Sequence, residues 1–320
     1  MRFYDIFNGD ADGLCALHQL RLADPRTSTL ITGVKRDIAL LARVGPEPGD
    51  ELTVLDISLD RNREALLGAL HVGARVRYFD HHFAGEIPQH PLLEAHIDTS
   101  ATVCTSLIVD HHLQGRYRAW AVVAAFGDNL RAEARAAASG LGMADADIEN
   151  LRELGECLNY NAYGQELADL HFDPAELYRR MRPYADPLAF RAQSPEVEVL
   201  RRASAQDLQQ ALALRIENIG YSAVMVTMPD EPWSRRIAGN FANALARRHR
   251  DRIVALLLRT GGGYQVSLRA PDLDGPAMHL LAQEFESGGG RARSAGIHFL
   301  PESDVARLMA RLQRPAATDA

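Results

Sequence analysis

The chain has 320 residues, of which 47% are hydrophobic and 24% charged, a composition typical of a soluble protein with two domains of ordinary size. Its net charge of −7 and its pI of about 5.9 exclude a global basic surface for long nucleic acid. Three widely spaced cysteines argue against a disulfide framework or structural zinc. With no signal peptide and no apolar run of about 18 residues, we expect a cytoplasmic protein without membrane contact.

Up to about residue 130, short apolar runs alternate with helical stretches, which predicts βαβ units and a mainly parallel sheet. Four apolar runs in this region share one property, since each delivers carboxylates at its C-terminal end. The runs are Arg2–Phe7, Leu52–Leu55, Val76–Phe79 and Ala121–Phe126. They lead into Asn8-Gly9-Asp10-Ala11-Asp12-Gly13, Asp56, Asp80-His81-His82 and Gly127-Asp128-Asn129, respectively. In open α/β sheets ligands collect at the carboxyl ends of strands, so we expect these groups to meet.

Mixed carboxylate and imidazole ligands suit Mn, Zn or Fe better than Ca. Two such ions about 3.5–4 Å apart need a bridging carboxylate to hold them close, and Asp56, alone at its strand end, is the candidate. Asp10 and Asp12 alternate along the chain, so each can serve a different ion. His81 and Asp128 complete one ligand shell, and Asn8 is a candidate weak ligand.

Two further residues of this segment are candidates for catalysis beside His81. His82 either binds metal or donates to a substrate phosphate. Asp80 orients an imidazole, because ligating histidines usually donate their second nitrogen to an acceptor.

A second Asp-His-His triplet, Asp110-His111-His112, has a different setting. Val103, Leu107 and Ile108 lie on one helical face, and Gly115 follows as a C-cap. Histidines in a last helical turn are favoured by the helix dipole, so this copy needs no metal.

The order of the four motifs resembles the DHH phosphoesterase superfamily. Three C-terminal segments resemble its DHHA1 substrate domain: 240–246, 264–269 and 288–296. The resemblance implies an α/β fold in which a parallel-sheet DHH domain precedes a smaller α/β DHHA1 domain. We expect the DHH catalytic, metal-binding domain at residues 1–185, a helical linker at 186–215 and the DHHA1 domain at 216–314. It also implies metal roles for Asp10, Asp12, Asp56, His81 and Asp128.

The chain departs from the family pattern at two places. Many relatives carry His, or a further Asp, just upstream of the first Asp-x-Asp, where this chain has Ile6 and Asn8. Relatives usually have His after the triple glycine, whereas this chain has Arg291, a residue well suited to phosphate.

Two glycine runs mark the C-terminal part. Gly261–Gly263 joins two strand-like runs and predicts a hairpin turn. Gly288, Gly289 and Gly290 precede Arg291, and successive glycine amides can form an anion nest. A flexible turn is the alternative on local evidence, but the family setting favours substrate contact. The candidate substrate-binding residues are Arg269, Gly288, Gly289, Gly290, Arg291 and His298.

These observations predict a metal-dependent phosphodiesterase that hydrolyses linear dinucleotides such as pGpG, or very short oligoribonucleotides, to 5′-mononucleotides. The expected cofactors are two divalent ions, Mn²⁺ first and Mg²⁺ as the alternative. A cyclic-dinucleotide phosphodiesterase, a polyphosphate or pyrophosphate hydrolase, and a nucleotide-sensing module without turnover are the alternatives. The expected partner is a short nucleotide substrate, with no long nucleic acid and no membrane. The oligomeric state stays open, with a homodimer among the options.

Overall fold

A computed structural model of the chain describes residues 1–270 and 277–313, so residues 271–276 and 314 of the predicted C-terminal domain lie outside it. The chain divides into two compact units, residues 1–202 and 203–320. The division falls inside one long helix, Pro195–Leu212, and the exact limits of the predicted domains stay a prediction. No helix in the described ranges has the length and hydropathy of a membrane-spanning segment.

The N-terminal unit is built on a five-stranded parallel sheet, as the alternating pattern predicts. Its strands are β1 (Phe3–Phe7), β2 (Thr29–Ile31), β3 (Glu51–Leu55), β4 (Arg75–Asp80) and β5 (Leu93–Ile97). The order across the sheet is β2-β1-β3-β4-β5, so β1, β3 and β4 are neighbours. Their carboxyl ends therefore lie side by side at one edge. The two outer strands, β2 and β5, are short or half-exposed and were not predicted.

Nine helices complete this part of the described chain, and the ninth continues into the second unit. They are α1 (Ala11–Ala23), α2 (Arg63–His71), α3 (Thr105–His112), α4 (Arg118–Gly127), α5 (Arg131–Ser139), α6 (Asp145–Ala162), α7 (Pro174–Met181), α8 (Pro187–Gln193) and α9 (Pro195–Leu212). On one face of the sheet, α2 packs against β3 and β4 through side chains such as Leu66, Val54 and Tyr78. The three cysteines are buried and unpaired.

Helix α1 is buried almost all round, from Ala11 to Arg21, which is typical of a helix in the centre of a domain. Asp10 is its N-cap, and the Asp10 Oδ1 accepts the backbone N–H of Asp12 and of Gly13 at 3.0 and 3.1 Å. Gly13 is required by packing, because a Cβ there would lie 2.1 Å from the carbonyl oxygen of Asn8. The turn that ends β1 is thus fixed tightly enough to aim two carboxylates at the same edge of the sheet.

The prediction of a strand at Ala121–Phe126 is wrong, because this run lies inside helix α4. Every residue from Trp120 to Gly127 is buried, so the helix is apolar on all sides and shows no helical periodicity. A short apolar run of this kind does not distinguish a buried strand from a buried helix. Asp128 follows directly as the C-cap, so the fourth carboxylate still leaves the apolar run at its C-terminal end.

The second unit is built on a six-stranded mixed sheet in which β7 and β8 are parallel and the other pairs antiparallel. Its strands are β6 (Ile216–Ile219), β7 (Ala223–Met228), β8 (Ile253–Thr260), β9 (Gly263–Arg269), β10 (Gly288–Gly290) and β11 (Ser294–Pro301). The helices are α10 (Pro232–Arg248), α11 (Met278–Gln283) and α12 (Val305–Gln313). A core that includes Leu257, Val266, Ile297 and Leu308 lies between sheet and helices.

The two glycine runs of this unit have different structures. Gly261–Gly263 connects the antiparallel β8 and β9, which confirms the predicted hairpin. Gly288–Gly290 is the edge strand β10, paired with β11, and its role in anion binding stays a prediction. A Cβ at Gly288 would lie 1.7 Å from the carbonyl oxygen of Ala282, which explains the glycine there by close packing against α11.

Candidate metal centre

The predicted metal ligands meet at the carboxyl edge of the parallel sheet. The turn after β1 supplies Asp10 and Asp12, β3 supplies Asp56, and β4 supplies His81, since these three strands are neighbours. Asp128 reaches the same place from the C-terminus of α4. Two triads of residues are formed, Asp56-His81-His82 and Asp12-His81-Asp128. Within each triad the ligand atoms all lie within 4.8 Å of one another.

His81 is common to both triads. Its Nδ1 donates to the carbonyl oxygen of Val103 at 2.9 Å, and because a carbonyl only accepts, this bond leaves the Nε2 lone pair free. The Nε2 atom lies 3.5 Å from Asp56 Oδ1 and 3.7 Å from Asp128 Oδ2. This arrangement is what a metal-ligating histidine requires, with its second nitrogen held by an acceptor.

Asp56 is held rigidly although it follows a strand. Its φ of 59° lies in the left-handed region, which Asp and Asn tolerate better than most side chains. Its backbone N–H donates to the carbonyl of Phe79 at 3.0 Å, and its Oδ1 accepts from Thr105 Oγ1 at 3.1 Å. Burial, with the charges of Asp12, Asp10 and Asp128, raises the Asp56 pKa well above its usual range. A bound cation would remove this electrostatic cost.

Asp12 is fixed by the N-terminus of α3. Its two oxygens accept the backbone N–H groups of Thr105 and Ser106, both at 2.7 Å. Burial is the largest effect on Asp12 and raises its pKa, and the charges of Asp128 and Asp10 raise it further. These supporting residues of α3 were not predicted, because contacts to Asp12 across about 93 residues leave no local sequence signal.

Asn8 is engaged at both ends of its side chain. Its Nδ2 donates to the carbonyl of Lys35 at 3.0 Å, and its Oδ1 accepts the backbone N–H of Asp10 at 3.3 Å. Asn8 therefore fixes the loop that carries Asp10, and its role as a metal ligand stays a prediction.

Lys35 lies directly in the cluster and was not predicted as a site residue. Its Nζ donates to Asp10 Oδ2, to Asp128 Oδ1 at 3.2 Å and to Asn159 Oδ1 at 3.3 Å. Burial lowers the pKa of Lys35, but the charges of Asp10 and Asp128 outweigh this effect and hold it well above its usual range. Burial likewise raises the pKa of Asp10, yet Lys35 brings it down to about 2. Asn159 lies inside α6 and lines the cluster.

His82 and Asp80 form a pair beside the triads. His82 Nδ1 donates to Asp80 Oδ1 at 2.7 Å and lies 4.0 Å from Asp56 Oδ1. Burial lowers the pKa of His82, but the hydrogen bond and charge of Asp80 outweigh burial and raise it overall. Asp80 is fully buried, whereas the His82 side chain is 43% exposed. The pair thus presents a proton-bearing imidazole at the surface of the site.

The second Asp-His-His triplet ends helix α3, as its pattern predicts. Asp110 pairs with Arg118 at 3.0 Å, and His111 is exposed. His112 belongs to a separate group with Glu94 and His96, whose ligand atoms also lie within 4.8 Å of one another. The pairing of β5 with β4, which was not predicted, brings His96 to this group.

The candidate substrate residues all lie in the second unit, but the structure does not gather them at one point. The β9–β11 register sets Arg269 opposite Ser294, and the exposed Arg291 is in the adjoining turn, its N–H donating to the Ser294 carbonyl at 2.8 Å. Arg269 Nε donates to Asn243 Oδ1 at 2.9 Å. His298 is exposed and follows Ser294 by four residues in β11, which corresponds to about 13 Å at the rise of a strand. Arg269 and Arg291 therefore share one end of the sheet, and His298 does not.

The residues around His81 fit a divalent cation. Asp12, Asp56 and Asp128 supply carboxylate oxygens and His81 a free imidazole nitrogen, a mixed set that suits Mn²⁺, Zn²⁺ or Fe²⁺. The raised pKa of Asp56 and of Asp12 reflects a concentration of negative charge that such an ion would neutralise.

The chain has the fold of the DHH phosphoesterases, as its motif order predicts. An exonuclease RecJ bound to manganese aligns over 98% of this chain and 89% of its own, with a TM-score of 0.61 and 15% identity. The pGpG-specific phosphodiesterase PggH from Vibrio cholerae aligns over 98% of both chains, with a TM-score of 0.53 and 13% identity. RecJ from Thermus thermophilus in complex with Mn²⁺ gives 0.58 at 15% identity, and this chain spans 51% of it. No family model and no curated protein matches the sequence.

Proposed function

We propose that the protein is a metal-dependent phosphodiesterase that hydrolyses linear dinucleotides such as pGpG, or very short oligoribonucleotides, to 5′-mononucleotides. The observation that carries this proposal is the convergence of Asp12, Asp56 and Asp128 on the free Nε2 of His81. A divalent ion bound there would supply an activated water and neutralise charge that develops on the phosphate.

The protein's own residues would divide the remaining work. Asp12 and Asp56 are pre-oriented by α3, so the ligand geometry exists before any ion arrives. His82, whose pKa is raised by its bond to Asp80 and whose side chain is open to solvent, is placed to donate in its protonated form to a phosphate oxygen or to the leaving oxygen. Asp80 is the residue that keeps this imidazole oriented.

Two considerations support a short substrate. The chain is acidic overall, with a net charge of −7, which disfavours long nucleic acid. Arg269 and Arg291 give the second unit a basic pair that can hold a terminal phosphate.

Mn²⁺ is the first candidate cofactor and Mg²⁺ the alternative, because the ligand set mixes nitrogen with oxygen. The ligands that face His81 are sufficient for one ion. The second ion that the sequence predicts would have to displace Lys35 from Asp10, because the other Asp10 oxygen is already bound by two backbone N–H groups.

A substrate panel tests the proposal. Chelator-treated protein is supplied with Mn²⁺ and incubated with pGpG, pApA, a five-residue RNA, cyclic dinucleotides and polyphosphate, and products are identified by chromatography. We expect 5′-mononucleotides from the dinucleotides, and no product from the His81→Ala variant. The His111→Ala variant is the matched control, since it alters the other triplet. Turnover of polyphosphate or cyclic dinucleotides in preference to pGpG would contradict the proposed substrate, and full activity after chelation would contradict the metal dependence.

A further inference from the structure

Lys35 is the only lysine among the 35 basic residues of the chain. Its position is fixed from both sides, because its backbone N–H donates to the Ala162 carbonyl at 2.9 Å and its own carbonyl accepts from Asn8. An ammonium group is a compact point charge with three donors, whereas a guanidinium is a wide planar fork. The half-buried side chain of Lys35 thus places a compact cation at this position of an otherwise arginine-rich chain.

The three donors of Lys35 are matched by three oxygens. These belong to Asp10, Asp128 and Asn159, two carboxylates and one amide. Oxygen atoms from carboxylates and amides are also the ligands that hard divalent cations select. The Lys35 ammonium therefore lies where the surrounding residues are arranged to hold a cation.

Asp128 joins this position to the His81 centre. Its Oδ1 accepts from Lys35 at 3.2 Å, and its Oδ2 lies 3.7 Å from His81 Nε2. One carboxylate thus lies between the ammonium on one side and the free imidazole nitrogen on the other. Asp10, in contrast, has one oxygen on Lys35 and the other on backbone N–H groups, and it belongs to neither triad around His81.

We propose that the Lys35 ammonium is a built-in second cation of this site, so that the protein binds one divalent ion at the His81 centre and excludes a second ion from the Asp10 side. In this arrangement a fixed charge takes the place of one ion of a two-metal site. Its chemical purpose rests on the hydrolytic function proposed above. Lys35 would then help to neutralise the phosphate charge that a second ion neutralises in two-metal sites.

Metal stoichiometry tests the proposal without a substrate. The parent protein carries His112→Ala, which removes the separate Glu94-His96-His112 group as a source of extra bound ion. Chelator-treated parent and its Lys35→Met and Lys35→Arg derivatives are titrated with Mn²⁺. Bound ion is counted by elemental analysis after gel filtration, and paired ions are detected by the exchange-coupled signal in electron paramagnetic resonance. Circular dichroism verifies the fold of each variant.

We expect one Mn²⁺ per chain in the parent and in Lys35→Arg, which keeps the charge. We expect two in Lys35→Met, with a coupled signal, because Asp10 is then released to bind metal. Two ions in the parent would overturn the proposal, and so would a single ion in a folded Lys35→Met. Failure of the hydrolytic function is a separate result. If Lys35→Met gains a second ion but the protein with Lys35 cleaves no phosphodiester, this inference stands and the proposed activity is refuted.

Discussion

The Asp56→Asn variant should be more stable than wild type when metal is absent, and Mn²⁺ should stabilise it much less. Asp56 is 2% exposed, and burial together with the charges of Asp12, Asp10 and Asp128 raises its pKa well above 3.8. Between the ordinary pKa and the raised one, the folded protein holds a proton that the unfolded chain has released. Stability is therefore lost as the pH rises through this window, and Asn removes the loss.

The size of the gain follows from the pKa. Each pH unit by which the folded-state pKa is raised above the unfolded-state pKa lowers the free energy of unfolding by about 1.4 kcal/mol at a pH above both values. For a unit of this length, each kcal/mol shifts Tm by about 2–4 °C. Other effects of the substitution are small. The φ of 59° suits Asn as well as Asp, and the Asn Oδ1 retains the hydrogen bond from Thr105 Oγ1.

Calorimetric unfolding measures both effects. With chelator, Asp56→Asn should gain more over wild type at pH 8 than at pH 5. With Mn²⁺ at a hundredfold excess over its Kd, wild type should gain about 2.7 kcal/mol and the variant far less. Asp110→Asn is the matched control: it breaks the pair with Arg118, so it should lower stability without metal and leave the Mn²⁺ effect unchanged. A variant no more stable than wild type at pH 8, or equally stabilised by Mn²⁺, would refute the electrostatic reasoning.

Three further outcomes are expected. His81→Ala should lower turnover of pGpG by at least about a hundredfold because it removes a metal ligand, whereas His111→Ala should change it little, and equal losses would show that the wrong triplet was chosen. Arg291→Ala should lower kcat/KM on pGpG about ten- to a hundredfold and spare bis-p-nitrophenyl phosphate, and equal losses on both would contradict a substrate role. Gly288→Ala should lower Tm because its Cβ would meet a backbone oxygen at 1.7 Å, whereas Gly289→Ala, which opens onto free space, should not.

The parallel sheet and three of its four acidic motifs were predictable because their signals are local. An apolar run that ends in Asp or His predicts a strand and places the polar residue at its carboxyl end. In a parallel sheet these carboxyl ends lie together at one edge. Asp128 was predicted as a ligand for the wrong reason, since its apolar run is a fully buried helix. Asp128 nevertheless lies 3.7 Å from His81 Nε2, because the C-terminus of the helix reaches the same edge of the sheet, and its role as a ligand stays a prediction.

The residues that complete the site were not predictable in the same way. Thr105 and Ser106 contact Asp12 across about 93 residues of sequence, and Lys35 contacts Asn159 across 124. Such contacts depend on how helices pack, which no local pattern records. The β10 strand shows that a local signal can also be ambiguous. Three consecutive glycines indicate either a flexible segment or a close backbone contact, and the contact of Gly288 with α11 shows that the second applies.

A cluster of four carboxylates is tolerated in the fold before any ion binds because other groups already oppose its charge. Backbone N–H groups at the starts of α1 and α3 hold Asp10 and Asp12, and Lys35 binds Asp10 and Asp128. Asp56 accepts a hydrogen bond from the neutral Thr105 hydroxyl and lies 3.5 Å from His81 Nε2, and burial with the charges of the neighbouring carboxylates raises its pKa well above its usual value. The uncompensated charge is thus concentrated on the His81 side, which is where a single divalent ion would be most strongly held.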